Sequence, residues 1–410
     1  MAEVRTVKNS IVFAMYALVM GAFIGALVWA FLALASYLSG LIWKTIPDAM
    51  SFPLYPVAVC LIGGAVIGLA HKKFGDYPED METIMARVKA KNGYYYGNLP
   101  MIALMALLPI VFGASIGPEA GLTGFIVGLC YFAGDHFKYA RKNVSELAEI
   151  GISATVGAIF RVPLFGLMLP IENRANEAKA MVFPKSGRIF VTVMAILGAL
   201  GIYRLLGSLL GGGLIMPSFP AAGAFKPEFI WQAIAAAAAG TAGAALFTLS
   251  KKAVKKALSP LKKLTVTKCI AGGAVLAICG MAVPFAMFSG EEQSTELMNG
   301  FASYSGWALL GIGAVKLCLT NVCIETGWRG GHFFPMIFGG VSIGYGMAAL
   351  LGAEPVICVF AATAALLGAV MRKPVAAALL LMLCFPLSSV VYVLPAAFLG
   401  SLVPVSFNKI

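Results

Sequence analysis

The sequence predicts an all-α membrane protein that crosses the bilayer many times and contains two inverted repeats. Three observations support this prediction. Apolar segments recur along the chain, Gly-rich interruptions occur at corresponding places in its two halves, and one carboxylate lies within such an interruption. Of the 410 residues, 60% are hydrophobic and 12% are charged, whereas soluble proteins average about 45–50% apolar and about 25% charged residues.

The apolar segments are long enough for helices to cross the hydrocarbon core, which takes about 20 residues. They cover residues 11–41, 53–70, 100–133, 189–210, 229–249, 269–288 and 307–322, followed by a nearly continuous apolar stretch at 333–405. The first segment is too long for a signal peptide. We expect one transmembrane domain over 1–410, with repeat one at about 50–250, repeat two at about 264–405 and no soluble regulatory domain.

The net charge of +12 indicates membrane topology and not nucleic-acid binding. Lys and Arg concentrate in polar breaks at 72–73, 87–91, 138–142 and 251–263, as the positive-inside rule expects of cytoplasmic loops. Most of these charges are expected to be solvated, with an anionic-lipid site at 251–263 as the alternative. The eight cysteines and three scattered histidines form no ligand pattern, so we predict no metal site and no cofactor.

Glu119 is the only charged residue between Asn98 and Asp135, and it lies in the Gly-rich segment 113–121. A carboxylate at membrane depth is costly and normally faces a cavity or a pathway. Irregular backbone within a bilayer is tolerated only where protein or water covers it. We therefore predict a helix break here and an ion path beside Glu119. The alternative is a structural acid bonded to amides at a helix start.

The interruption around Glu119 has a counterpart in the second half of the chain. The segment 74–79 precedes a helical run, an apolar span and the Gly-rich segment 113–121. The segment 288–292 precedes the same order of elements: a helical run, an apolar span and the Gly-rich segment 327–335. This correspondence predicts an inverted-repeat transporter with its site near the midplane. Helix N-termini at the two interruptions would present backbone N–H groups and positive dipole ends, which suits an anion.

The segment Gly331-His332-Phe333-Phe334-Pro335 resembles the Gly-x-Phe-x-Pro signature of the CLC family of chloride channels and proton-coupled chloride transporters. The resemblance spans most of the chain, to about Pro395. It implies an inverted repeat of many tilted and discontinuous helices. It also implies that His332 and Phe333 contact the central anion through backbone amides, and that Gly331 permits its close approach.

A second segment, Gly117-Pro118-Glu119-Ala120-Gly121, resembles the family signature Gly-Lys/Arg-Glu-Gly-Pro, although proline replaces the basic residue. In the family this glutamate is a gate whose ionised carboxylate occupies an anion site. The resemblance therefore implies that Glu119 is the gate, and that Gly117, Pro118 and Ala120 belong to the anion site.

Two hydroxyl donors of the family lack clear counterparts. Gly75 aligns with the serine of the signature Gly-Ser-Gly-Ile-Pro, and Val390 aligns with the C-terminal tyrosine, while Tyr392 lies nearby but out of register. Gly75 and Tyr392 are kept as candidate anion-site residues. At the inner Glu-Glu pair of proton-coupled members, Glu172 fills the first position and Asn173 replaces the proton-carrying acid.

The resemblance implies a homodimer in the inner membrane of a prokaryote that conducts a small anion, chloride by default. Because Asn173 cannot ionise, we expect passive or weakly proton-coupled transport. Stoichiometric proton/anion exchange, with chloride or fluoride, is the alternative. Protons and membrane lipids are the other expected partners.

A rival hypothesis is an intramembrane serine hydrolase, because Ser115 and Ser342 each lie in a Gly-x-Ser-x-Gly pattern. That motif requires a strand-to-helix elbow and a histidine within reach, and a glycine-rich chain matches it by chance. We therefore expect no enzymatic activity.

Overall fold

A computed structural model describes residues 2–50, 52–79, 81–89, 99–136, 144–172, 185–213, 217–223 and 226–403. Regular structure in these ranges is helical. The strand-type pairing they contain is an isolated antiparallel bridge between Gly117 and Gly331. The predicted all-α fold class is confirmed.

The α-helices are numbered here in chain order. They are α1 (Ala2–Gly40), α2 (Ile46–Met50), α3 (Tyr55–Phe74), α4 (Met81–Lys89), α5 (Leu99–Val111), α6 (Glu119–His136), α7 (Val144–Ile159), α8 (Pro163–Glu172), α9 (Lys185–Leu210), α10 (Glu228–Ala257), α11 (Thr265–Ala282), α12 (Glu291–Gly300), α13 (Gly306–Thr326), α14 (Phe333–Leu351), α15 (Pro355–Met371), α16 (Pro374–Leu381) and α17 (Val390–Leu402).

Seven helical segments within the described ranges are long and apolar enough to cross a membrane. The predicted span 189–210 has the bounds of one of these segments, Ile189–Leu210. The predicted span 100–133 is divided into α5 and α6, as its Gly-rich interruption predicted. The predicted span 269–288 in the second half is wrong at its end, because α11 stops at Ala282. Pro284 disfavours helical backbone at Val283, whose φ is −138° and ψ 83°.

Two irregular segments interrupt the helices where the sequence placed its Gly-rich stretches. We call residues 112–118, between α5 and α6, the first break. We call residues 327–332, between α13 and α14, the second break. A short helix and a longer apolar helix precede each break, α4 and α5 in one case and α12 and α13 in the other. This confirms the predicted order of elements, while the repeat boundaries stay a prediction.

The chain divides into two compact units that interleave along the sequence. The first contains Met1–Tyr37, Pro78–Leu107 and Glu119–Leu214. There α7 packs against α6, α8 and α9, and α1 meets α9 so closely that a Cβ at Gly21 would lie 1.9 Å from the carbonyl oxygen of Ala195.

The second unit contains Leu38–Tyr77, Leu108–Pro118 and Ile215–Ile410. Here α3 packs on α11, and α15 packs against α10, α14 and α17. Small residues let these helices approach backbone to backbone. A Cβ at Gly368 would lie 2.2 Å from Ala397 O, and one at Gly400 would lie 2.1 Å from Ala365 O. Such contacts are typical of helix packing in membranes, where close approach replaces the hydrophobic driving force.

Candidate functional site

The two breaks meet within the second unit. Gly117 N donates to Gly331 O at 2.9 Å, and Gly331 N donates to Gly117 O at 2.8 Å. The two glycines are separated by more than half of the chain, so this bridge joins corresponding positions of the predicted repeats. It also uses the amides of both glycines. Gly117 and Gly331 therefore contribute close-approaching backbone, and any amide donors for a ligand must come from neighbouring residues.

The second break leads directly into α14, whose first residue is Phe333. Phe333 and Phe334 are buried, and the first turn of a helix presents N–H groups that have no acceptor within that helix. His332 caps the helix through its backbone, since its carbonyl accepts from Met336 N at 3.0 Å. The His332 ring lies against the rings of Phe247 and Phe333, with centroids 5.8 and 5.0 Å away. A helix start of this kind suits an anion.

The first break ends at Pro118, which is also the last residue of the segment Leu108–Pro118 of the second unit. Proline has no N–H, so Pro118 cannot offer an amide to a ligand. Glu119 follows as the first residue of α6, where the helix dipole favours a negative charge. Its side chain is 1% exposed. The predicted helix break is confirmed, with a new helix that begins at Glu119, and the gating role assigned to Glu119 stays a prediction.

Contacts within the second unit hold the irregular backbone of the first break. Gly113, with φ of +80°, accepts a hydrogen bond at its carbonyl oxygen from Phe288 N at 3.1 Å. The hydroxyls of Ser115 and Thr320 lie 3.1 Å apart and are both fully buried. Protein groups thus contact the non-helical segment, as is expected of irregular backbone within a membrane protein.

The same contacts bear on the serine-hydrolase alternative. The hydrogen-bond partner of Ser115 is the Thr320 hydroxyl, and Ser342 donates to the carbonyl oxygen of Leu309 at 2.6 Å. Ser342 lies within α14 and Ser115 lies in the first break. Neither position is a strand-to-helix elbow, so the geometry does not support a hydrolytic serine.

Gly75, which aligns with the serine of the family signature, caps the C-terminal end of α3. Gly75 has φ of +100° and donates its amide to His71 O at 2.9 Å. The next residue, Asp76, forms an ion pair with Arg329 of the second break. Burial raises the pKa of Asp76, but the hydrogen bond and charge of Arg329 outweigh it, with smaller contributions from His71 and Lys268. The pKa therefore lies below its usual value. The Gly75 amide is used by the cap, and an anion role for Gly75 stays a prediction.

The remaining predicted residues are scattered. Tyr392 is buried within α17. Ser389, just before the aligned Val390, is also fully buried, and its hydroxyl has no hydrogen-bond partner among the described residues. Glu172 is the last residue of α8, and Asn173 lies outside the described residues. Their roles stay predictions.

One buried charge, Lys316, was not predicted from the sequence as a functional residue. It lies in the middle of α13 and is fully buried. It is the only charged residue between Glu296 and Glu325. The signal that singled out Glu119, a lone charge within an apolar span, was therefore present for Lys316 as well.

Comparison with known families decides the identity of the chain. The family model described as voltage gated chloride channel matches residues 63–404. The chain belongs to the CLC family. Among curated proteins, it is 27% identical over 329 residues to YfeO of Escherichia coli O1:K1 / APEC, which is named as an ion-transport protein. That match covers 76% of this chain and 73% of YfeO.

Solved CLC structures share the fold. A CLC-type fluoride/proton antiporter superimposes with a TM-score of 0.76 at 17% identity, and the match covers 95% of this chain and 94% of that one. A slow cyanobacterial Cl⁻/H⁺ antiporter gives a TM-score of 0.77 at 20% identity, with 95% and 93% covered. The predicted CLC-like architecture is thereby confirmed for a multi-pass membrane protein.

Proposed function

We propose that this CLC protein transports a small inorganic anion, chloride first, through a pathway gated by Glu119. The observation that carries the proposal is the Gly117–Gly331 bridge. It brings together the ends of two Gly-rich breaks, each directly followed by the start of a membrane helix. Helix N-termini present amide donors and positive dipole ends, which stabilise a negative charge.

The donor set supports testing more than one anion. Positions aligned with the family's serine and tyrosine hydroxyls are occupied by Gly75 and Val390. Backbone amides near Phe333 then supply most of the hydrogen bonds. Loss of two hydroxyl donors changes the set of groups that can select among anions, so fluoride and nitrate are tested beside chloride.

We infer passive or weakly proton-coupled conduction, because Asn173 stands where proton-coupled members carry an ionisable acid. A proton path requires titratable stations, and amides do not titrate. Stoichiometric proton/anion exchange is the second candidate. It is favoured by the fold shared with structures named as fluoride/proton and Cl⁻/H⁺ antiporters.

The proposed setting is the inner membrane of a prokaryote, with one pathway in each subunit of a homodimer. Similarity to an Escherichia coli ion-transport protein supports a prokaryotic membrane. Two-fold pairing is the commonest form of oligomer, and the CLC family supports it here.

Flux from reconstituted liposomes tests the proposal. Vesicles loaded with chloride, fluoride or nitrate are diluted into anion-free buffer with valinomycin, while an anion electrode and a pH electrode record together. We expect protein-dependent release of at least one anion, with little proton movement. Release of none of the three would contradict the proposed function, and a fixed proton-to-anion ratio against an imposed gradient would support the exchange alternative.

A further inference from the structure

We propose that Lys316 is a fixed cation of the anion pathway, which anchors the first break and strengthens anion binding where the two breaks join. This inference rests on the proposed function. It concerns a residue that the family resemblance does not assign, and every contact that supports it lies within the second unit.

The Lys316 side chain forms a complete set of hydrogen bonds. Its Nζ lies 2.7 Å from the carbonyl oxygens of Met287 and Phe288, and 3.3 Å from that of Phe285. Three acceptors require three N–H donors, which the ammonium form carries and the neutral amine does not. The Phe338 ring faces the same ammonium, with its centroid 5.2 Å away. The geometry therefore suits a positively charged lysine.

Lys316 reaches the first break by two routes. The carbonyl of Phe288 accepts from Lys316, and the amide of Phe288 donates to Gly113 O at 3.1 Å. One helical turn further along α13, Thr320 contacts Ser115. The same helix face thus holds the first break at two points, both close in sequence to the Gly117–Gly331 bridge.

The electrostatic effect can be estimated from these links. One helical turn spans about 5.4 Å, and the hydroxyl contact adds 3.1 Å. Two further residues lead from Ser115 to Gly117, so these links span about 15 Å in all, and we take about 10–15 Å as the distance from the Lys316 charge to the bridge. At an effective dielectric constant of about 20, a unit cation at that distance improves the affinity for a monovalent anion about five- to twentyfold.

Glu291 provides the opposite charge needed for a test. It lies in the first turn of α12, is buried, and accepts a hydrogen bond from the Ser289 hydroxyl. Burial raises the pKa of its carboxyl, and the charge of Lys316 opposes that rise. Glu291→Gln removes any negative charge that acts on Lys316 and keeps the side-chain shape. The neighbouring Glu292 is exposed, and its Oε2 lies 3.9 Å from Lys44 Nζ. Glu292 is a matched control because it has the same carboxylate in an exposed position.

The experiment measures chloride and fluoride affinity by calorimetry with the purified full-length protein in detergent. We expect Lys316→Met to weaken anion binding about five- to twentyfold. Lys316→Arg keeps the positive charge, so it should retain most of the wild-type affinity. Glu291→Gln should bind as tightly as wild type or more tightly, and Glu292→Gln should match wild type within about twofold, because exposed charges are screened.

Opposite responses at 316 and 291 distinguish charge from packing. Equal weakening by Lys316→Met and Glu291→Gln would overturn the proposal, because a purely structural pair would respond in this way. Unchanged affinity in a folded Lys316→Met protein would also overturn it. If the Lys316→Met protein does not fold, the other variants decide. Weakened binding by Glu291→Gln, or by a folded Lys316→Arg protein, would then overturn the proposal. Wild-type protein that binds neither anion would instead count against the proposed function.

Discussion

The hydroxyl contact between Ser115 and Thr320 allows a quantitative test of how the first break is held. Thr320 Oγ1 also donates to Lys316 O at 2.9 Å, which uses its single proton. Ser115 must then be the donor to Thr320. Thr320→Val keeps the side-chain shape but leaves a fully buried Ser115 hydroxyl without its acceptor. We expect a loss of about 1–3 kcal/mol in the free energy of unfolding.

The second variant and the double variant complete the cycle. Ser115→Ala removes the donor and leaves Thr320 bonded to Lys316, so its cost should be about 0.5–1.5 kcal/mol. The double variant should cost less than the sum of the single ones, with a coupling energy of at least about 0.5 kcal/mol. Thr241→Val is the control, since Thr241 donates to Ala237 O one turn earlier in α10.

Denaturant unfolding in detergent measures these free energies, and liposome flux measures function. If the first break is part of the pathway, Thr320→Val should also change anion flux, and Thr241→Val should not. Additive single-variant costs would refute the assigned hydrogen bond. A normal flux in Thr320→Val protein, despite the expected loss of stability, would show that this contact does not position the pathway.

Three further predictions follow from the structure and the family. Asp76→Asn should destabilise the protein at pH 7 by less than about 1 kcal/mol, because the Arg329 ion pair is partly exposed. Because the folded-state pKa of Asp76 is lowered, this contribution is present above the unfolded value of about 3.9 and is lost as the pH falls through the folded value. The free energies of unfolding of wild type and Asp76→Asn, measured from pH 3 to 7, should therefore converge at the acid end. A difference that stays constant with pH would contradict a stabilising Asp76–Arg329 ion pair. Crosslinking in mild detergent should give a dimer, and a monodisperse monomer that is active in liposomes would contradict the homodimer. Substituting glutamate for Asn173 should increase proton movement per anion if the missing inner acid limits coupling, and an unchanged ratio would place the limit elsewhere.

Local chemistry explains why much of the fold was predictable. Long apolar segments specify membrane helices, and glycine and proline within them specify where the helices break, so the start of α6 at Glu119 was expected. The end of α11 at Ala282 was missed although Pro284 is visible in the sequence, because the hydrophobicity continues past it. Hydrophobicity indicates burial in lipid, whereas backbone geometry ends the helix.

Contacts between distant segments were not predictable in the same way. The Gly117–Gly331 bridge and the Asp76–Arg329 ion pair join residues more than 200 positions apart. The repeated interruptions predicted that the two breaks share a site. The register of these contacts depends on how the helices pack, for which a single sequence carries no signal. Lys316 differs from these cases. Its isolation among apolar residues marked it as a costly charge, but its partners are backbone carbonyls that leave no trace in side-chain patterns.

The pH dependence of anion flux in Glu119 variants is the decisive measurement. Chloride flux from liposomes is recorded between pH 4.5 and 7.5 for wild type, Glu119→Gln and the exposed control Glu228→Gln. If the ionised carboxylate competes with the anion, wild-type flux should rise as the pH falls. Glutamine mimics the protonated acid, so the Glu119→Gln flux should stay constant at the acid-pH level of wild type, while the control behaves as wild type. A Glu119→Gln protein that keeps the wild-type pH dependence would contradict the claim that Glu119 gates the pathway.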